Sequence, residues 1–233
     1  MRKKQLTAEE KRLDTDLWFI ALVTMGVFLC YAATGDRLMR FVRDGGIPVL
    51  PRLLVNAAAQ FGIAGAGITI VCLLRRERFT QFGLKRSNAL RAIGGAILCF
   101  IPLVCCIVAS GQFREYQPFS IMITADVLAA GLPLSLFGMA LITVVWGFFE
   151  GFNYAVISEK INRRYPSKSP WLDYGAIVCA IICVLFHPIS FSLWGIVELV
   201  SSFAAIYGML LVKKWTGNAW GCVFAFCLIW NAI

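Results

Sequence analysis

Glu150 and His187 are ionisable side chains set inside long apolar runs, and His187 is the only histidine in the chain. An ionisable group in a bilayer costs about 2.5–3.5 kcal/mol or more, so such residues usually mark a site. On a helix, Asn153 and Tyr154 follow Glu150 at i+3 and i+4 and share its face. At 1.5 Å per residue, Glu150 lies about 12 Å from the basic end of its helix, and His187 and Asn231 about 20 Å from the basic ends of theirs. Three helices are therefore expected to converge on one polar pocket. A carboxylate in such a pocket can take a proton from water, an imidazole can share that water, and an asparagine amide can donate to an oxyanion. That set suits water-mediated attack on a carbonyl. One His, one Glu and one Asn are few ligands, so no metal or cofactor is expected.

Other readings of these residues stay open. Glu150 and His187 can instead pair and hold two helices together, and Asn153 can bridge neighbouring helices. Glu198, near the outer interface, is a candidate pocket-lining residue. Asp126 is expected to be interfacial and solvated. Cys183 lies one turn before His187, so a Cys–His pair at i, i+4 is a possible thiolate nucleophile.

The elements that must position this set are transmembrane helices. Hydrophobic residues make up 59% of the 233-residue chain and charged residues 15%, well under the roughly 25% charge of a soluble domain. The apolar runs predict an all-α polytopic bundle of about seven membrane segments: 17–33, 53–74, 92–110, 134–158, 174–193, 196–212 and a short last run, 219–233. Residues 1–16 are expected as a cytoplasmic tail and 17–233 as a single transmembrane domain. Ala58, Gly62 and Ala66 repeat every four residues, a spacing that lets helices approach closely.

The net charge of +9 does not point to nucleic acid, because the basic residues fall in short loops between apolar runs. Of the 22 Lys and Arg, only Arg37, Arg40, Arg43, Arg52 and Arg114 fall on the side opposite the N-terminus. That skew predicts a cytoplasmic N-terminus in a multi-pass protein of the cell membrane, with cytoplasmic loops at 75–91 and 159–173. The nine cysteines lie in apolar segments without a Cys-x-x-Cys pair, so they read as small buried hydrophobes.

The order of these features resembles the CPBP family, the intramembrane proteases that include type II CAAX prenyl endopeptidases and bacteriocin-processing proteins. The resemblance covers roughly residues 75–233. It includes a loop reading Gln81-Phe82-Gly83-Leu84-Lys85-Arg86 and a turn reading Thr216-Gly217-Asn218-Ala219-Trp220. The family's Glu-Glu-x-x-x-Arg motif stands here as Phe149-Glu150 with Tyr154 at the Arg position. Its Phe-x-x-x-His stands as Cys183 with His187, and its His-x-x-x-Asn as Cys227 with Asn231.

The resemblance implies a water-activating role for Glu150, a partner role for His187 and an oxyanion role for Asn231. Tyr154, Cys183 and Cys227 would line the pocket. It implies a prenylated or hydrophobic peptide substrate at the membrane and a pocket opening toward the cytoplasm. One Glu, the Arg and one His of the family set are replaced. Two further readings therefore stand beside the peptidase: a non-catalytic pocket for a peptide, lipid or membrane-protein partner, and a small-solute or ion carrier.

Overall fold

The computed structural model describes residues 5–187 and 190–232. It is 76% helix, with no strands among the described residues. Apart from a 3-10 turn at Phe79–Phe82, eight helices follow in order among the described residues: α1 (Ala8–Arg43), α2 (Val49–Arg75), α3 (Ala89–Ala109), a short α4 (Thr124–Ala129), α5 (Leu134–Arg164), α6 (Tyr174–Leu185), α7 (Leu193–Thr216) and α8 (Trp220–Trp230).

Five of these, α1, α2, α3, α5 and α7, are long and apolar enough to cross a membrane. The other two apolar helices, α6 and α8, are shorter. At 1.5 Å per residue they reach roughly 16–18 Å, against about 30 Å of hydrocarbon. The expected span at 174–193 breaks after Leu185, and Ser192 caps the next helix by accepting from the Gly195 amide. His187 and Asn231 thus sit just past the ends of two helices that stop part-way through the bundle.

Helix α1 begins at Ala8, capped by a reciprocal pair of bonds between Thr7 and Glu10. Leu13, Asp16 and Ile20 form a buried stripe on it at helical spacing. The acidic residues of this first stretch do not simply separate a basic start from the membrane. Asp16 binds Lys160 of α5 at 2.9 Å and Arg75 of α2 at 2.7 Å, and Lys160 also binds Glu77 at 2.7 Å. Asp14 binds Arg164 at 2.7 Å. These bonds gather the start of α1 and the last turns of α2 and α5 at one end of the bundle. Asp126 is half exposed, as expected of a solvated residue, and pairs with buried Arg52 at 2.8 Å near the opposite end.

The loops at 81–86 and 216–220 clasp each other at the basic end. Ala219 donates to the Gly83 carbonyl at 2.9 Å. The fully buried Asn218 donates to the carbonyls of Lys85 and Ser87 at 2.6 and 2.8 Å, and accepts from the Trp220 amide at 2.8 Å. Gly83 has φ +102°, and a Cβ there would lie 2.9 Å from the Ala219 nitrogen. Only glycine meets both the left-handed backbone and the close approach. Beyond the clasp, α8 packs between α3 and α5, and α3 lies along α7.

Three helices each carry one π-helical turn: Gly62–Ala66 in α2, Thr143–Phe149 in α5 and Phe226–Trp230 in α8. Such turns concentrate at functional sites. Here the α5 turn lies against both of the others. Gly65 faces Phe149, and Gly147 faces the Cys227 sulfur so closely that a Cβ at Gly147 would collide with it.

Candidate functional site: a histidine between two cavities

The residue just after the α5 π turn is Glu150, and the residue just after the α8 π turn is Asn231. The Asn231 Nδ2 lies 3.4 Å from the Glu150 Oε2, 3.0 Å from the Trp146 carbonyl and 3.2 Å from the Phe226 carbonyl. Two of the three residues expected to converge, Glu150 and Asn231, are therefore brought together, by the end of a half-length helix. A second amide holds the same carboxylate: Gln60, two residues before the α2 π turn.

Glu150, Asn153, Tyr154 and His187 line a common cavity of about 350 Å³. Thr24, Tyr31, Asn56 and Gln60 complete its polar wall. Sequence reasoning missed Asn56 and Gln60, although two amides at i, i+4 in an apolar span were a readable signal. No hydrogen bond or ion pair joins Glu150 to His187 among the described residues. The His187 ring instead packs edge-on against Trp230, with centroids 5.1 Å apart.

A second cavity, about 520 Å³, lies on the other side of that histidine. Glu198, Gln112, Ser190, Ser202, Trp230 and Asn231 line it with His187. The carboxylate whose charge acts on His187 is Glu198. His187 thus stands in the wall between two chambers, with Glu150 in one and Glu198 in the other.

The pocket does not point where the sequence suggested. Met39, Ile121 and Met122 line the Glu150 cavity, and Arg43 donates to the Met122 sulfur. These residues lie at the end of the bundle opposite the Lys160 cluster, so the cavity reaches away from the basic end. Cys183 also has a different partner from the one its spacing suggested. It is buried beside the Tyr154 side chain, and among the described residues no hydrogen bond joins it to His187. Cys227 is buried against Gly147.

The 110–123 segment closes the far end of α8. Ser120 and Gln117 donate to the carbonyls of Asn231 and Ala232 at 2.7 and 3.0 Å, and the Tyr116 hydroxyl donates to the Leu228 carbonyl at 2.9 Å. These bonds satisfy carbonyls that the end of a helix inside the bundle would leave open. They also fix the backbone that carries Asn231. No group of three or more His, Cys, Asp or Glu side chains able to hold a metal occurs among the described residues. Comparison with family models, with curated proteins and with solved structures finds no match to this chain.

Proposed function

We propose that this protein is a CPBP-like intramembrane endopeptidase in which Glu150 activates water against a peptide bond of a hydrophobic, membrane-associated substrate. The observation that carries the reading is the Asn231 amide on the Glu150 carboxylate, at a cavity that His187 also lines. A general base needs a positioned carboxylate with room beside it for water and substrate. Glu150 is positioned by Asn231 and Gln60, and about 350 Å³ of space adjoins it. The test is cleavage of a set of labelled prenylated and unprenylated peptides by the purified protein in lipid. Cleavage by wild type and its loss in Glu150→Gln support the reading, and no cleavage across the set overturns it.

A second reading, a non-catalytic pocket for a peptide or partner protein, is favoured by one observation. The Asn231 Nδ2 is shared among Glu150 and two backbone carbonyls, which leaves it no free N–H for an oxyanion. Peptide binding that is unchanged in Glu150→Gln, without cleavage, selects that reading.

The orientation in the same proposal has the N-terminus and the loops 75–91 and 159–173 in the cytoplasm, in the cell membrane. Charge asymmetry supports it. Single cysteines placed in each loop, with the native cysteines removed, should resist impermeant reagents added outside intact cells. Labelling of either loop from outside reverses the orientation.

A further inference from the structure

At the basic end of the bundle lies a third cavity, of about 390 Å³, remote from Glu150. Lys85, Lys213, Lys214, Glu159, Asp173, Asn162, Ser158 and Gln81 supply its polar wall. Most of those groups are already engaged. Buried Lys213 pairs with Glu159 at 2.5 Å, and Glu159 also holds Arg163 at 3.1 Å. Lys214 donates to the carbonyls of Ser169 and Leu172 at 3.2 and 3.0 Å. Asn162 donates to Asp173 at 2.8 Å and accepts from the Gly175 amide at 3.0 Å.

Lys85 is different. Its ammonium has no hydrogen bond or ion pair among the described residues. It lies beside Gly217, where a Cβ would come within 3.1 Å of the Lys85 Nζ. The three lysines outnumber the two carboxylates, so the cavity carries an unbalanced positive charge, and that charge is free at Lys85.

The level of this cavity in the membrane is marked independently. Trp171 and Trp215 pack edge to face with centroids 4.8 Å apart, and both are exposed. The Trp215 indole donates to the Pro170 carbonyl at 3.0 Å, the Tyr207 hydroxyl donates to the Trp171 carbonyl, and Tyr165 and Tyr174 are exposed nearby in sequence. Exposed Trp and Tyr gathered at one end of an apolar bundle mark the headgroup layer. Trp215 directly follows the cavity's Lys214 in sequence, and Trp171 lies two residues before its Asp173. The cavity therefore opens where phosphates are abundant.

We propose that this cavity holds the phosphate of an anionic phospholipid headgroup, gripped by the Lys85 ammonium. A phosphate oxygen there accepts a charge-assisted hydrogen bond from a cation that otherwise has no partner, and it balances the excess charge of the lysines. Gly217 keeps the space in which that bond forms. The Lys85 side chain is separable from the fold, because its backbone makes the structural bonds: its amide donates to Gly83 at 2.9 Å and its carbonyl accepts from Asn218.

The experiment uses the full-length protein, delipidated in detergent and offered phosphatidylglycerol or phosphatidylcholine, with bound lipid counted by native mass spectrometry. Wild type should hold one phosphatidylglycerol in preference to phosphatidylcholine. Lys85→Gln should bind it about tenfold more weakly, the scale of one charge-assisted bond, with an unchanged melting temperature. Lys85→Arg should restore binding. A parallel titration with inorganic phosphate separates the two sources of the anion. Equal phosphatidylglycerol binding by wild type and Lys85→Gln, no preference over phosphatidylcholine, or Lys85-dependent binding of free phosphate with no lipid preference would each overturn the lipid site.

Discussion

The basic end of the bundle and its middle handle buried polar groups in opposite ways. At the end, Lys160 is 1% exposed but lies between Asp16 and Glu77, and Asn218 fills its hydrogen-bonding capacity with three loop bonds. These groups join elements far apart in sequence and line none of the three cavities described above. In the middle, Glu150, Asn153, Gln60 and His187 line open space, beside three π turns and two helices that stop short. A buried charge paired on two sides acts as a rivet. A carboxylate held by amides at the wall of a cavity is available to a ligand. Burial alone does not separate structural from functional polar residues here; the presence of adjoining space does.

The sharpest way to break this contrast is to remove one residue of each kind. Lys160→Met leaves Asp16 and Glu77 facing each other without their shared cation. The expected loss is about 3–5 kcal/mol of stability, seen as a large fall in melting temperature in detergent. Glu150→Gln keeps the size of the side chain and an oxygen that accepts from Asn231. It should leave the melting temperature nearly unchanged while lowering peptide cleavage by about 10²-fold or more. A large melting shift in Glu150→Gln would move the residue into the structural class. Asn218→Ala removes a clasp of three bonds and strands two carbonyls. The expected cost is about 1–3 kcal/mol, with cleavage per folded molecule retained. The smallest effect is expected from Cys183→Ala, which removes only the thiol beside Tyr154. Cleavage should stay within about twofold of wild type, whereas a loss as large as that of Glu150→Gln would point to a cysteine mechanism.

The same contrast explains what the sequence disclosed. Glu150 and Asn231 stood out because a charged or amide residue is conspicuous in an apolar run, and the structure brings them into contact. His187 stood out for the same reason, but its depth did not reveal which carboxylate it faces. The rotation of a helix about its axis is set by packing, and one π turn in a neighbour is enough to change it. Asp14 and Asp16 gave no sign of their partners, because acidic residues at a helix start are favourable on local grounds alone. Their partners, Arg164, Lys160 and Arg75, come from 59 to 150 residues away, beyond any local pattern. The span at 174–193 looked complete because its apolar character continues past Leu185, while the break at the Ser192 cap is carried by a single side chain. Hydropathy reports which residues avoid water. It does not report where the backbone stops being helical.

The π turn at Thr143–Phe149 has a consequence for the two ends of α5. A π turn holds one residue more than the α turn it replaces. Before it, Gly138 and Ile142 face Leu53 and Val127 in one hydrophobic cluster; after it, Phe152 and Ala155 join another. Glu150 and Lys160 both follow the turn. Winding that turn into regular α-helix with the extra residue kept would swing everything beyond it by about 100° relative to the first half. The carboxylate would leave Asn231, and the ammonium would leave Asp16 and Glu77, in one step. The extra residue is a phase setting: it lets one continuous helix address two differently angled neighbourhoods, and it ties the alignment of the pocket to that of the anchor.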